Sequence, residues 1–240
     1  MTRIAIVTGG TRGIGAAISL ALKNQGHTVI ATYLSNKEAA AEFEAKNEII
    51  TKSFDVASFD ACHEMVEKIT HEHGPVDILV NNAGITKDTM LHRMQKDQWN
   101  DVIAANLTSC FNMSRAVIES MRARLYGRIV NISSINGQKG QAGQCNYAAA
   151  KAGLIGFSRA LAQESGSKGI TVNVIAPGYV DTDMIKAVPP HVLDQIVDQI
   201  PVKRLATAQE IADAVVYLTG DQASYITGAT LSINGGLYFS

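Results

Sequence analysis

Tyr147 and Lys151 stand four residues apart in the stretch YAAAK. In a helix, that spacing puts both on one face. A free phenol releases its proton near pH 10, too high for acid–base work at neutral pH. A neighbouring ammonium favours the phenolate, so such a pair can pass a proton. Ser134 closes the run GRIVNISS at 127–134. Side chains at the carboxyl ends of parallel strands face a ligand crevice. A hydroxyl there can donate to a carbonyl and stabilise a developing alkoxide. Y-x-x-x-K alone is common by chance, and it gains weight only beside such a serine and a nucleotide loop.

That loop stands at the start of the chain. An apolar run leads straight into TGGTRGIG at 8–15. Gly9, Gly13 and Gly15 permit a tight turn and a close backbone approach to a phosphate. The helix that follows offers free N–H groups and a partial positive charge. The spacing differs from G-x-G-x-x-G, so its position between strand one and helix one carries the argument. An NAD site of this type has an acid about 20 residues further on, to hold the ribose 2′-hydroxyl. Here the second strand ends ATYLSNK, with no acid before Glu38. Arg12 lies inside the glycine loop, where a guanidinium suits a 2′-phosphate. Lys37 can add charge. NADP is expected.

These groups need a frame. Short β-branched runs at 3–8, 27–33, 48–54, 76–82, 127–134, 170–177 and 229–234 read as strands. Several are nearly continuous apolar runs, as in strands covered on both faces. Helical patterns fall at 16–25, 36–46, 59–73, 97–124, 147–167 and 208–219. Alternating strands and helices predict a doubly wound α/β fold with a seven-stranded parallel sheet. This pattern accounts for nearly all of 1–240, so a single domain is expected. The stretch 181–207, with Pro189, Pro190 and Pro201, interrupts the rhythm and reads as a helical flap over the strand ends.

Bulk properties exclude several functions. The chain has 240 residues, 46% apolar and 18% charged, with a formal net charge of -1. That balance points to neither nucleic acid nor an acidic membrane surface. Cys62, Cys110 and Cys145 are too few and too scattered for a disulfide framework or a zinc site. They read as reduced thiols in a cytoplasmic protein, Cys145 as a small buried residue. No histidine pair has metal-ligand spacing, so no metal is expected. The start lacks signal-peptide features, and no apolar run approaches the roughly 20 residues needed to span a bilayer.

Taken together, TGGTRGIG, NNAG at 81–84, Asn106 in AANLTS, Ser134 in NISS, YAAAK, PGYVDTDM at 177–184 and ITGATLSINGG at 226–236 resemble the short-chain dehydrogenase/reductases over essentially the whole chain. The resemblance implies a role for each motif. Tyr147 would be the general acid in reduction. Lys151 would ease release of its proton and bind the nicotinamide ribose. Ser134 would orient the carbonyl, and Asn106 would hold a water linking Lys151 to solvent. The cofactor would be held by Gly9, Thr11, Arg12, Gly13, Ile14 and Gly15, with Asp55 and Val56 at the adenine. Asn82, Ala83 and Gly84 would lie beside the ribose, and Pro177, Gly178, Val180 and Thr182 at the carboxamide end. A homotetramer is also implied, with the helices at 97–124 and 147–167 packed on their symmetry mates.

Within that family, two kinds of NADPH-dependent reductase are most similar. Both reduce a 3-oxoacyl thioester to the (3R)-hydroxy product, one carried on coenzyme A and one on acyl carrier protein. NYAAAKAGLIGFS and ASYITG resemble the carrier-linked kind; SSINGQKGQAGQ, PGYVDTDM and IPVKRL resemble the acetoacetyl-CoA kind. Gln138, Gln141 and Gln144 lie between Ser134 and Tyr147, on a loop that would flank the substrate. Amide side chains both donate and accept, which suits thioester carbonyls. Gln141, Gln144 and Tyr179 are therefore expected at the substrate with Ser134 and Tyr147, and acetoacetyl-CoA is expected as that substrate. Ala142 departs from the aromatic residue common in the CoA-linked relatives. An acidic carrier would need a basic dock, for which Arg122, Arg124, Arg128, Arg159 and Lys168 are candidates.

Overall fold

A computed structural model describes residues 2–182, 185 and 189–239. Its strands are β1 (Ile4–Val7), β2 (Thr28–Tyr33), β3 (Ile50–Ser53), β4 (Ile78–Asn81), β5 (Gly127–Ile132), β6 (Ile170–Pro177) and β7 (Thr230–Ile233). They form one parallel sheet in the order β3-β2-β1-β4-β5-β6-β7. The fold is the expected doubly wound α/β sheet. Chain order reverses between β1 and β4, which opens a crevice at their carboxyl ends.

Among the described residues the α-helices are α1 (Gly13–Asn24), α2 (Lys37–Asn47), α3 (Phe59–His73), α4 (Lys96–Ile103), α5 (Ser109–Arg124), α6 (Ile135–Lys139), α7 (Cys145–Ser165), α8 (Pro190–Gln199) and α9 (Ala208–Thr219). Side chains that compete with the backbone start several of them. Asn36 caps α2 and Ser58 caps α3, each accepting an N–H from three residues on. Thr207 and Glu210 form a capping box on α9.

Alternation along the strands divides the core in two. Ala5, Val7, Ile78, Val80, Val130 and Ile132 face the side covered by Ile18 and Leu22 of α1 and Ile211 and Val215 of α9. Ile6, Leu79, Ile129 and Val172 face Val66 and Ile69 of α3 and Met113 and Val117 of α5. Each fully buried aliphatic side chain of this kind contributes roughly 1.5–3 kcal/mol. Burial on both sides explains why these strands read as continuous apolar runs. It also holds rigid the strand ends that carry the polar groups.

Two elements depart from expectation. The helix expected over 97–124 is interrupted. Between α4 and α5, Ala104–Thr108 form a π-helical turn that widens the backbone around Asn106. The loop expected around the glutamines begins as a helix, since Gln138 lies in α6 and donates to Ser232 Oγ at 3.0 Å. In the expected flap, α8 spans ten residues behind Pro190 at its start. Asp183 and Met184 of the PGYVDTDM motif, and residues 186–188, lie outside the described residues.

Candidate active site

Most sequence-derived candidates follow the carboxyl end of a strand; Asn106, Tyr147 and Lys151 come instead from helical segments. Gly9 to Gly15 follow β1, Asp55 and Val56 follow β3, Asn82 to Gly84 follow β4, and Ser134 follows β5. Tyr179, Val180 and Thr182 follow Pro177 and Gly178 at the end of β6.

Thr8 sets the cradle. Its hydroxyl accepts N–H bonds from Asn82 at 2.9 Å and Ala83 at 3.0 Å. The Asn82 amide returns across the gap, donating to the main-chain oxygens of Thr8 at 2.9 Å and Gly9 at 3.2 Å. Gly9 has φ +62° and Gly13 φ +52°, conformations that favour glycine. Gly15 allows the close approach: a Cβ there would lie 2.6 Å from Asn82 Nδ2 and would also meet the Gly9 oxygen. Helix α1 begins at Gly13 behind Arg12, and Arg12 makes no side-chain cap. The first turn therefore keeps N–H groups for an outside acceptor. Arg12 is exposed at the mouth, and Lys37 is exposed at the start of α2. The Thr182 side chain stands against Gly13, 3.6 Å from where a Cβ would be. A shallow glycine floor, free helix N–H groups and an exposed guanidinium fit a dinucleotide phosphate.

The proton-handling groups lie across the crevice. Lys151 is 4% exposed, and its Nζ donates to the Ile132 oxygen at 2.8 Å. That ammonium lies 5.6 Å from the centroid of the Tyr147 ring. Ser133 Oγ donates to the Lys151 oxygen at 2.8 Å, which anchors α7 to the end of β5. Ser134 starts α6, and its Oγ accepts the Asn136 N–H at 3.1 Å. Gly137 permits α6 to press against α7, since a Cβ there would sit 2.7 Å from the Lys151 carbonyl carbon.

Asn106 is fully buried in the π-helical turn. Its Nδ2 donates to the oxygens of Ile85 at 2.9 Å and Val102 at 2.8 Å. Among the described residues, its Oδ1 has no hydrogen-bond partner. A Cβ added to Gly84 would press against that oxygen and would lie 3.6 Å from Lys151 Nζ, so the glycine leaves room between the two groups. An unpaired buried acceptor beside a buried ammonium fits one water.

The glutamines separate. Gln144 donates to Asp88 and accepts from Asn136. The Gln141 side chain is exposed and accepts from Lys139 Nζ at 3.1 Å. Ala142 is exposed beside it. Tyr179 is partly buried, and that burial pushes its phenol above the usual range.

One expectation is corrected, that for Cys145. Three arginines weighed as a carrier dock also make contacts within the fold. Arg124 donates to Asp77 Oδ1 and Val76 O, and Arg122 to Glu164 O at 2.9 Å. Arg128 is 4% exposed, donates to Gly127 O and Gly169 O, and packs on the Tyr126 ring. Cys145, the first residue of α7, is exposed, not buried, while Asn146 beside it turns inward and is fully buried.

Sequence reasoning missed Thr8, Asp88, Asn136 and Asn146. Asn146 donates to Lys87 O at 3.2 Å and Gln98 O at 3.0 Å, fixing the turn before Tyr147. An asparagine beside a reactive tyrosine was the available signal. Asp88 is distant in sequence and gave none.

A proton pair placed next to a dinucleotide cradle is what reversible carbonyl reduction requires. The fold and site therefore define a nicotinamide-dependent oxidoreductase acting on a secondary alcohol or its ketone. Comparison with known proteins sharpens that class. The family model described as "Enoyl-(Acyl carrier protein) reductase" matches residues 9–238. The acetoacetyl-CoA reductases of Shinella zoogloeoides and Rhizobium meliloti (strain 1021) are 58% and 55% identical, over 100% of both chains in each case. The 3-oxoacyl-[acyl-carrier-protein] reductase of Escherichia coli (strain K12) is 49% identical, over 98% of this chain and 97% of that one. The chain belongs to the short-chain dehydrogenase/reductase family.

Proposed function

We propose that the protein reduces acetoacetyl-CoA to (R)-3-hydroxybutyryl-CoA with NADPH. The observation that carries this reading is full-length identity of 58% to a protein named for that activity. The polar Gln138–Gln144 segment in front of Tyr147 supports it.

A nicotinamide cofactor held at the glycine turn would supply the hydride for the carbonyl carbon. The chain's own residues do the rest. Ser134 Oγ already accepts the Asn136 N–H, so its proton is free to donate to the substrate oxygen. Tyr147 delivers the proton to the oxygen that becomes the alcohol. Lys151 supplies the positive charge beside it and holds the ribose. Lys151 passes a proton back to the Tyr147 phenolate and recovers its own from solvent through a water held at Asn106 Oδ1. Arg12, with Lys37, holds the 2′-phosphate of NADP; Thr11 and Ile14 line the glycine turn, and Asp55 with Val56 closes on the adenine. Pro177, Gly178, Val180 and Thr182 bound the carboxamide end. Gln144 and Tyr179 meet the thioester, with Gln141 at the rim. The whole of 1–240 works as one NADP-binding domain, with 181–207 as its flap.

The alternative substrate is the same 3-oxoacyl group carried on acyl carrier protein. Turnover of acetoacetyl-CoA and acetoacetyl-acyl-carrier-protein at equal concentration separates the two. A clear preference for the carrier would reverse the assignment.

The reading extends to the assembly. Phe111 and Ile118 of α5 and Phe157 and Leu161 of α7 line one apolar groove. A homotetramer pairing these helices would cover it, and light scattering gives the mass that tests this. Among the described residues, no helix is long and apolar enough to cross a membrane. That is consistent with a cytoplasmic enzyme.

A further inference from the structure

Gln144 occupies the N-cap position of α7, yet its side chain makes no capping bond. It is held at both ends instead. Nε2 donates to Asp88 Oδ2 at 2.6 Å, and Oε1 accepts from Asn136 Nδ2 at 2.9 Å. An ionised carboxylate can only accept. Asp88 therefore decides which end of the amide faces it. The nitrogen turns to Asp88, and the oxygen turns to Asn136.

The order continues to the reacting group. Asn136 N–H donates to Ser134 Oγ at 3.1 Å, which commits one lone pair of that hydroxyl. The Asp88 loop is fastened to the same segment twice more. Thr89 N–H donates to Gly143 O at 2.8 Å, and Asn146 Nδ2 donates to Lys87 O at 3.2 Å. Asp88 is thus held in place independently of its contact with Gln144.

We propose that Asp88 is a positioning residue for thioester recognition. It locks the Gln144 amide so that the second N–H of Nε2 is offered to a substrate carbonyl. With the amide reversed, an oxygen would face the carbonyl oxygen and repel it. The inference rests on the reading of this site as that of a 3-oxoacyl-thioester reductase. It adds the residue that sets the direction of one of the site's substrate hydrogen bonds.

A double-mutant cycle tests it. Asp88→Ala should raise KM for acetoacetyl-CoA about tenfold, as for loss of one charge-assisted hydrogen bond. KM for NADPH and the melting temperature should stay put. Asp88→Asn, which can also present a donor to the amide, should behave like Asp88→Ala, and Asp88→Glu should recover part of the loss. In a Gln144→Ala background, Asp88→Ala should add nothing. Additive effects, or an equal rise in KM for NADPH, would overturn the proposal. If the wild type turns over only the carrier-linked substrate, the substrate assignment fails by itself. The cycle is then run on acetoacetyl-acyl-carrier-protein, and the same coupling is required.

Discussion

Lys151 Nζ donates to the main-chain oxygen of Ile132 at 2.8 Å while the residue is 4% exposed. Burying an ammonium is costly unless it is paired and hydrogen-bonded. The Ile132 oxygen takes one of its three protons and aims the other two. Lys151→Met keeps the apolar stem and removes the charge. Both Lys151→Met and Tyr147→Phe should lower kcat for acetoacetyl-CoA by about 10²–10⁴. Steady-state kinetics with NADPH reads this, and unchanged reduction by Tyr147→Phe would remove the catalytic assignment.

Cofactor choice turns on Arg12. It is exposed beside the glycine turn, and no acid follows β2 before Glu38. The wild type should prefer NADPH to NADH by at least about tenfold in kcat/KM, the size of one charge-assisted contact. Arg12→Ala should bring the two cofactors close to parity. Parity already present in the wild type would refute the role of Arg12.

Gly15 tests the cradle by size alone. The added methyl of Gly15→Ala would meet the Gly9 oxygen and Asn82 Nδ2. Urea unfolding should show a loss of about 1–3 kcal/mol, as for overpacking. Weaker NADPH binding, followed by fluorescence, should accompany it.

The thiols should react unequally. Burial pushes the Cys62 thiol up to about 12 and raises that of Cys110. Cys145 is exposed two residues before Tyr147. A thiol-titrating reagent at pH 8 should modify one cysteine rapidly in the native protein. Cys145→Ser should abolish that phase; a second fast thiol would contradict the burial.

Acid stability has a local contribution at α9. Hydrogen bonds from the Arg204 side chain, then from the Thr207 backbone, hold the Glu210 carboxyl down at about 2 from an ordinary 4.5. A depressed carboxyl stabilises the fold above its unfolded value and loses that effect as pH falls through its folded value. Glu210→Gln should therefore melt below the wild type at neutral pH, by a small margin because the pair is exposed. The gap should narrow between about pH 4.5 and 2. A gap independent of pH would assign the effect to the capping geometry alone.

The sheet was legible because β4, β5 and β6 are buried along their whole length, leaving nearly continuous apolar runs. Ser134, Tyr147, Lys151 and the glycine turn were legible because each chemistry demands its residue type. Partners were not. The arginines near 122–128 declared their charge but not that Asp77, Glu164 and Gly169 take it up. The side of α7 that meets solvent depends on how α6 and the Asp88 loop pack on it. Composition at 138–145 therefore could not say that Cys145 is exposed. Nor could periodicity see the widened turn at 104–108, since Ala104, Ala105 and Leu107 are ordinary helix formers.

That turn gives the site a dependence on chain length as well as on residue type. A π-helical turn is equivalent to one extra residue let into an α-helix. Removing any one residue from 104–108 would restore regular winding. The helices on either side would keep nearly their present phase, so the whole change would fall on the turn itself. Asn106 would lose the widened backbone that holds its side chain beside Gly84. Single substitutions among the flanking alanines should be absorbed, whereas a deletion of any one of them should not. A scan that removes residues one at a time would register this spot more sharply than a scan that replaces them.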